Sequence, residues 1–219
     1  MRSAAYMHVA RVGRALASSH RLEILDLLGQ GEKSVEALAR ELGLTLANTS
    51  QHLQVLRQAR LVTARREGRS VLYGLSDLQV AECLVLLRRL AERLVPDVEH
   101  AIRSFLRGWA DVRPLDRRTV RRRWRRGEVV LLDVRPASEY RVAHLAGALS
   151  IPLPELERRL QELPRGKVIV AYCRGPYCTL ALEAVRLLRA HGFRAYRLVD
   201  GVQELRLEGW PLEAGGPAA

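Results

Sequence analysis

The chain has 219 residues, a formal net charge of +12 and a pI of about 10.7. Hydrophobic residues make up 48% and charged residues 27%, as in a globular protein with room for two small domains. No apolar run approaches the ~20 residues of a membrane span, and Arg11 and Arg14 interrupt the N-terminal apolar residues. We therefore expect neither a membrane partner nor a signal peptide, and a cytoplasmic location.

The positive charge and the cysteines point to two different kinds of chemistry. The chain has three cysteines, Cys83, Cys173 and Cys178, an odd and small number that argues against a disulfide framework. Residues 113–126 carry eight arginines against one acid, Asp116. The excess of positive charge favours a polyanionic partner.

Helical spacing of apolar residues dominates the first half of the chain. Together with cap residues and terminating glycines, it predicts helices over residues 8–17, 20–28, 35–42, 46–58, 78–94 and 96–108. The predicted N-caps include Ser19, Ser34 and Thr45. Strand patterns over 61–66 and 70–75 flank a turn at 67–69. Two helices joined by a short glycine-containing turn and followed by a basic hairpin predict a winged helix-turn-helix.

The second helix of this pair would enter the major groove of double-stranded DNA. Its polar side chains can hydrogen-bond base edges and phosphates, and the hairpin arginines suit contacts with the DNA backbone. The candidate DNA-binding residues are Thr45, Asn48, Thr49, Ser50, Gln51, His52, Gln54, Arg57, Arg65, Arg66 and Arg69. The alternative is a polar solvent face on a helical bundle.

Residues 9–90 resemble the ArsR-type family of small dimeric repressors, most closely in the run LANTSQHLQVLRQARLVTARREGRSVLYGLS. The resemblance implies a homodimer that releases operator DNA when a chemical inducer binds. Many members sense metals through a Cys-Val-Cys, but the matching residues 33–36 here are Lys-Ser-Val-Glu. Asp97 and His100 do not match the spacing of another family metal site. We expect no metal and no cofactor.

The second half alternates between strand and helix patterns. Strands are predicted over 129–132, 148–151, 168–172 and 195–199, and helices over 117–126, 138–143, 152–163, 179–191 and 201–209. This alternation predicts an α/β domain with a parallel sheet flanked by helices. The segment YCRGPYC ends the strand at 168–172 and precedes a helix, so loop amides and the helix N-terminus would stabilise a thiolate there.

Residues 115–215 resemble the rhodanese domain in the segments LLDVRPASEYRVAHLAGALSIPL, YCRGPYC and VDGVQELRLEGWPLEAG. The resemblance implies that Cys173 attacks a sulfane sulfur, from a donor such as thiosulfate or a persulfide, and holds it as a persulfide. The rest of the active-site loop would be Arg174, Gly175, Pro176, Tyr177, Cys178 and Thr179. A supporting polar network would comprise Asp133, Arg135, Glu139 and His144. Thr179 occupies the position of the arginine that related phosphatases need, which disfavours phosphatase chemistry.

These patterns predict a winged helix-turn-helix DNA-binding and dimerisation domain over 1–110 and a rhodanese-like domain over 128–219. An Arg-rich linker or helix would span 111–127, either as a solvated interdomain helix or as an extra nonspecific grip on DNA.

The favoured function is a DNA-binding transcriptional regulator, a repressor by resemblance, that senses sulfane sulfur or redox state through Cys173. The alternatives are a rhodanese-type sulfurtransferase whose DNA-binding half serves localisation or dimerisation, and a simple thiol–disulfide sensor. Cys178 could resolve the Cys173 persulfide or only pack at the helix start. Cys83 could lie in the core or a dimer interface, or it could be a sensing thiol.

Overall fold

The computed structural model describes residues 2–216, which divide into two compact units. The first ends at Arg88 and the second begins at Arg89, earlier than the expected boundary at 110. The difference arises because the segment before the Arg-rich helix packs with the second unit. Leu106, Trp109 and Val112 belong to one of its hydrophobic clusters.

The first unit is a helical domain with a small antiparallel sheet. In chain order its elements are α1 (Arg2–Leu16), α2 (Ser19–Leu28), β1 (Lys33–Ser34), α3 (Val35–Leu42), α4 (Leu46–Gln58), β2 (Val62–Glu67), β3 (Ser70–Leu75) and α5 (Leu78–Leu94), the last of which continues past Arg88. The sheet order is β1-β3-β2, and β2 and β3 form the predicted hairpin. The winged helix-turn-helix fold is therefore confirmed.

Local capping chemistry sets the ends of α3 and α4. The Ser34 hydroxyl accepts a hydrogen bond from the Ala37 amide, and the Thr45 hydroxyl accepts one from the Asn48 amide, both at 3.2 Å. Gly43 ends α3 with φ of 65°, a left-handed conformation that favours glycine. At α2 the N-cap is Ser18 rather than Ser19, and its side chain makes no capping bond.

The second unit is an α/β domain, as expected. Its elements are α6 (Pro96–Leu106), α7 (Arg117–Arg125), β4 (Val129–Asp133), α8 (Ala137–Val142), β5 (His144–Leu145), β6 (Leu149–Ser150), α9 (Leu153–Leu156), β7 (Val168–Tyr172), α10 (Leu180–Ala190), β8 (Ala195–Arg197), α11 (Val202–Leu207) and β9 (Leu212–Glu213), with 3₁₀ turns at Arg107–Trp109 and Glu157–Glu162. A parallel sheet runs in the order β6-β4-β7-β8. The small β5-β9 pair was not predicted, because two-residue strands leave little pattern.

Strand β7 lies at the centre of this unit, and all five of its residues are buried. Its side chains alternate between two hydrophobic clusters, Ile169 and Ala171 on one face and Val168, Val170 and Tyr172 on the other. Burial on both faces explains why the strand is a continuous apolar run.

The Arg-rich helix α7 packs on one of these two faces. Val120 is fully buried, and the Trp124 ring stacks on Trp210 with 5.9 Å between centroids. Its arginines lie around this apolar contact, and Arg121 donates to the carbonyl of Gly209 at 2.9 Å. Across the described residues, no helix is long and apolar enough to cross a bilayer.

Candidate functional site

Helix α4 presents a polar face on the first unit. Gln51, Gln54 and Arg57 are exposed, whereas Asn48 and Ser50 are half-buried. This gradient of exposure fits a helix that packs on its own domain along one side and offers polar side chains along the other. The exposed set is available for hydrogen bonds to a DNA groove.

Two of the expected contact residues in this region have structural duties instead. Thr49 is fully buried, and its hydroxyl donates to the Thr45 carbonyl at 2.9 Å. Thr45 caps the helix, so its hydroxyl is already engaged with the Asn48 amide. Thr49 therefore packs against the core, which its polar side chain did not reveal in the sequence.

His52 lies beside another histidine, His20, with 5.4 Å between ring centroids. Burial lowers the pKa of His52, and the neighbouring charges of His20 and Arg21 lower it further. The ring is thus biased towards its neutral form at neutral pH.

The arginines of the β2-β3 hairpin differ in how their charges are compensated. Arg65 donates to carboxylate oxygens of Glu32 and Glu67 at 2.8 and 2.9 Å. Arg66 bonds the Gly68 carbonyl, and Arg69 is exposed. Within residues 2–216, neither Arg66 nor Arg69 forms an ion pair, so their charges are free to meet phosphates.

In the second unit, the cysteine loop leaves the carboxyl end of β7 and leads into α10. Cys173 directly follows Tyr172 and is only 1% exposed, whereas Cys178 is partly exposed. Gly175 has φ of 147°, which favours glycine. The Cys173 sulfur lies 3.6 Å from the Cys178 carbonyl oxygen, so the loop curls back over its first residue.

The two thiols differ in their electrostatic surroundings. Burial raises the pKa of Cys173 well above its usual range. The neighbouring Cys173 thiol lowers the pKa of Cys178 to about 6, and the amides of Arg174 and Leu180 act in the same direction. The expected low-pKa thiolate was Cys173, but burial places the resting negative charge on Cys178. The cysteines titrate as a pair that shares one proton near neutral pH.

Arg174 connects this loop to the segment after β4. Its guanidinium donates to both carboxylate oxygens of Glu139, with Nε at 3.0 and 3.1 Å. Glu139 is 2% exposed, so the ion pair is largely enclosed. Because Glu139 pairs with this charge, the main role of Arg174 is to hold the loop in place. Its sequence position had suggested a free cation that attracts an anionic donor.

The other members of the expected polar network stabilise the framework around β4 and α8. The buried Arg135 guanidinium donates to Asp133 Oδ2 at 2.6 Å and to the Ala143 carbonyl at 2.7 Å. His144 Nδ1 lies 2.8 Å from the Tyr140 carbonyl, and its ring stacks on the Tyr140 ring. These contacts fix the segment that carries Glu139.

Sequence reasoning missed Arg197, a buried arginine at the end of β8. It is 3% exposed and donates from Nη2 to the carbonyls of Gly175 and Pro176 at 3.3 and 2.7 Å. A charged residue inside the apolar run Ala195 to Val199 was the available signal.

The segment that follows β8 also packs closely against the cysteine loop. A Cβ on Gly201 would lie 2.3 Å from the Arg174 carbonyl oxygen, so only glycine fits there. The buried Glu204 accepts a hydrogen bond from the Gly201 amide at 2.8 Å, and its carboxylate lies beside Gly175. This segment therefore forms one wall of the site.

The remaining loop residues and Cys83 are peripheral. The exposed Tyr177 donates from its hydroxyl to Glu92 Oε1 at 2.7 Å. Pro176 and Thr179 are half-buried, and Thr179 is the N-cap of α10 without a side-chain capping bond. Cys83 is exposed on α5 in the single chain, so the expectation that it could lie in the core is wrong.

Comparison with known proteins agrees with both halves of this description. The helix-turn-helix domain profile matches residues 16–65, and the rhodanese-like domain profile matches residues 116–208. The HTH-type transcriptional regulator Rv0324 of Mycobacterium tuberculosis is 46% identical over 209 residues, which covers 95% of this chain and 92% of that protein. The HTH-type transcriptional regulator CmtR of Mycobacterium bovis is 47% identical over 76 residues, which covers 35% of this chain and 64% of that protein.

Among solved structures, a homodimeric winged helix-turn-helix DNA-binding domain from Mycobacterium bovis, described as a possible ArsR-family transcriptional regulator, is 44% identical. It covers 43% of this chain and 87% of that one, with a TM-score of 0.41. The fold and the matched domains define a transcriptional regulator with a second, rhodanese-type domain. The chain belongs to the family of ArsR-type winged helix-turn-helix transcriptional regulators that carry a C-terminal rhodanese domain.

Proposed function

We propose that the protein is a cytoplasmic, homodimeric repressor of transcription. Its affinity for operator DNA would depend on whether the Cys173–Cys178 pair is reduced, persulfidated or disulfide-bonded. The polar face of α4 would read the major groove, and Arg66 and Arg69 would contact phosphates. The homodimeric relative from Mycobacterium bovis supports the dimer. The Rv0324 relationship supports the regulatory role.

The observation that carries the sensing half of this proposal is the thiol pair itself. The Cys173 side chain lowers the pKa of Cys178 to about 6, so the pair holds a negative charge at neutral pH. A thiolate is the form of cysteine that reacts with sulfane sulfur and with oxidants. Cys173 is 1% exposed, so a donor must present its transferable sulfur as a terminal atom, as thiosulfate and persulfides do.

The sulfur chemistry begins with a proton transfer inside the pair. The Cys173 proton moves to the Cys178 sulfur, which leaves Cys173 as the thiolate. Cys173 then attacks the terminal sulfur of the donor, the donor's S–S bond breaks, and sulfite or a thiolate leaves with the electron pair. The product is a persulfide on Cys173.

Cys178 then resolves this persulfide. After losing its proton, its thiolate attacks the Cys173 sulfur, the persulfide S–S bond breaks, and the outer sulfur leaves as sulfide, which takes up the proton. A disulfide between Cys173 and Cys178 remains. A thiol reductant returns the pair to the reduced state.

The decisive experiment compares operator affinity across defined forms of the full-length protein. Cys83→Ser protein would be prepared reduced and disulfide-bonded, and the persulfide would be prepared in Cys83→Ser/Cys178→Ser protein, which cannot resolve it. Each form would be verified by intact mass and titrated onto DNA from upstream of its own gene. We expect the reduced form to bind at least about tenfold more tightly than a modified form, which corresponds to about 1.4 kcal/mol. Equal affinity of all three forms would overturn the sensing proposal.

A second candidate is a sulfurtransferase, which the match to the rhodanese-like domain profile favours. It predicts steady turnover of thiosulfate with an acceptor such as cyanide or a thiol, and loss of turnover in Cys173→Ala. A single round of loading without turnover would leave the sensor as the function of this site.

A further inference from the structure

Arg197 is a buried cation without an ordinary counterion. It lies at the end of β8, is 3% exposed, and donates hydrogen bonds from Nη2 to two loop carbonyls. Among the residues that the structure describes, it forms no ion pair with a carboxylate, and its buried Nε has no hydrogen-bond partner. A buried charge in this situation is costly unless an anion comes close to it.

The groups that supply negative charge near Arg197 are the two thiols. Burial lowers the pKa of Arg197, and the charges of Cys173 and Cys178 act in the opposite direction. Arg174 also faces the pair, and its charge lowers the pKa of Cys178 although Glu139 pairs with it.

Glu204 is the remaining charged group of this wall, since its carboxylate lies beside Gly175. It accepts a hydrogen bond from the Gly201 amide at 2.8 Å. Among the described residues that contact the loop, Arg197 is therefore a buried cation that pairs with no carboxylate and can stabilise an anion there.

We propose that Arg197 is the positioning residue of the sulfur site: it tethers the loop by the carbonyls of Gly175 and Pro176 and supplies the charge that holds a thiolate or persulfide anion on the cysteine pair. This role rests on the proposed function of the loop. It identifies an anionic sulfur as the species that the site retains. Removal of the tether would let the loop carbonyls and amides reorient, and removal of the charge would favour neutral thiols.

Arginine suits both duties better than lysine does. Its planar guanidinium can meet two carbonyls with fixed geometry, whereas an ammonium is a point charge on a flexible stem. Lysine at position 197 would keep the charge and lose much of the tether. Glutamine would keep a hydrogen-bond donor and lose the charge, which separates the two contributions.

The test is a pH profile of alkylation in Cys83→Ser protein, which leaves only the loop thiols. Iodoacetamide labelling rates, read by intact mass, would be compared for wild-type Arg197, Arg197→Met, Arg197→Gln and Arg197→Lys. Arg194→Met is the matched control, since Arg194 is an exposed arginine just before the same strand that bonds the Gly166 carbonyl. Thermal unfolding would show that each variant is folded.

We expect Arg197→Met and Arg197→Gln to raise the midpoint of the labelling profile by about one pH unit or more. Arg197→Lys should restore at least half of that shift, and Arg194→Met should leave the midpoint in place. If Arg197→Met does not fold, Arg197→Gln decides. An unchanged midpoint in the folded neutral variants overturns the proposal.

Persulfide loading of the same proteins separates this inference from the function on which it rests. If wild-type protein shows the low midpoint and Arg197→Gln raises it, but neither gains sulfur nor forms the Cys173–Cys178 disulfide with a persulfide donor, the proposed sensing chemistry fails while the role of Arg197 in holding the thiolate stands. If wild-type protein gains sulfur and Arg197→Gln does so at the same rate and pH, the role of Arg197 fails while the sensing proposal stands.

Discussion

The recognition helix and the cysteine loop are both candidate functional sites, yet they are assembled in opposite ways. Helix α4 begins at a cap three residues from its hydrogen-bond partner, and its exposed side chains follow one another along the chain. The cysteine loop depends on Glu139, Arg197 and Gly201, which lie more than twenty residues away in sequence. The first site is encoded locally, and the second exists only once the parallel sheet has formed.

The two sites also treat charge differently. The hairpin arginines Arg66 and Arg69 keep their charge at the surface, where a polyanion can reach it. The cysteine loop encloses its charges, and Arg197 is buried where it bonds two carbonyls of the loop that carries the thiols. A surface charge acts through long-range attraction that salt screens, whereas an enclosed charge shifts the pKa of its neighbours.

The largest effect should come from the thiol that the sheet buries. We expect Cys173→Ala to lose at least about a hundredfold in the rate of sulfur loading, because no other described thiol occupies the end of β7. Intact mass after treatment with a persulfide donor measures this loss. The matched control is Cys83→Ser, which should load normally, and equal loading in Cys173→Ala would remove Cys173 from the chemistry.

The next largest effect tests the core beneath the recognition helix. Leu53 is fully buried on α4, so Leu53→Ala should lower the free energy of unfolding by about 2–5 kcal/mol. Urea unfolding measures the change. Gln54→Ala, at the exposed neighbouring position, should change stability by less than about 0.5 kcal/mol, and similar losses in both variants would contradict the assigned face of the helix.

The same contrast explains what the sequence could reveal. Helix ends at Ser34, Gly43 and Thr45 followed from local capping rules, and the buried strand β7 followed from its apolar run. The winged helix-turn-helix and rhodanese folds were therefore predictable from periodicity, caps and motif resemblance.

The electrostatics of the cysteine site were not predictable in this way. No local pattern shows that Glu139 compensates Arg174, that Arg197 reaches back to the loop, or that Cys173 is too enclosed to hold the resting charge. These facts depend on which strands lie side by side in the sheet. The burial of the Thr49 side chain was not predicted for a related reason, since a polar residue type does not show which side of a helix faces the core.

A smaller effect on stability should distinguish an N-cap whose side chain accepts a hydrogen bond from one whose side chain does not. Thr45→Ala removes a hydroxyl that accepts the Asn48 amide, so it should destabilise the protein by about 1 kcal/mol. Ser18→Ala removes an N-cap side chain that makes no capping bond and should have a clearly smaller effect. Paired thermal unfolding curves measure the difference, and equal shifts would show that the α4 cap contributes nothing specific.

The smallest effect concerns the charges of the hairpin. Arg69→Ala should reduce the slope of log affinity against log salt for operator DNA by ~0.9, as expected for one lost phosphate contact. Arg65→Ala should reduce it by less, because Glu32 and Glu67 already compensate Arg65. Affinity measured across a salt series checks both variants, and a larger change for Arg65→Ala would reverse this assignment.

The most direct test of the account is the titration of the thiol pair in the folded, reduced protein. In the Cys83→Ser background, the labelling rate with iodoacetamide would be followed from about pH 4 to pH 10 by intact mass. We expect the rate to fall as the pH drops through a midpoint of about 6, because the Cys173 side chain lowers the pKa of Cys178, and we expect a single label on the neutral plateau. A midpoint near that of a free thiol, about 8.5, would contradict the claim that this loop holds a negative charge at neutral pH.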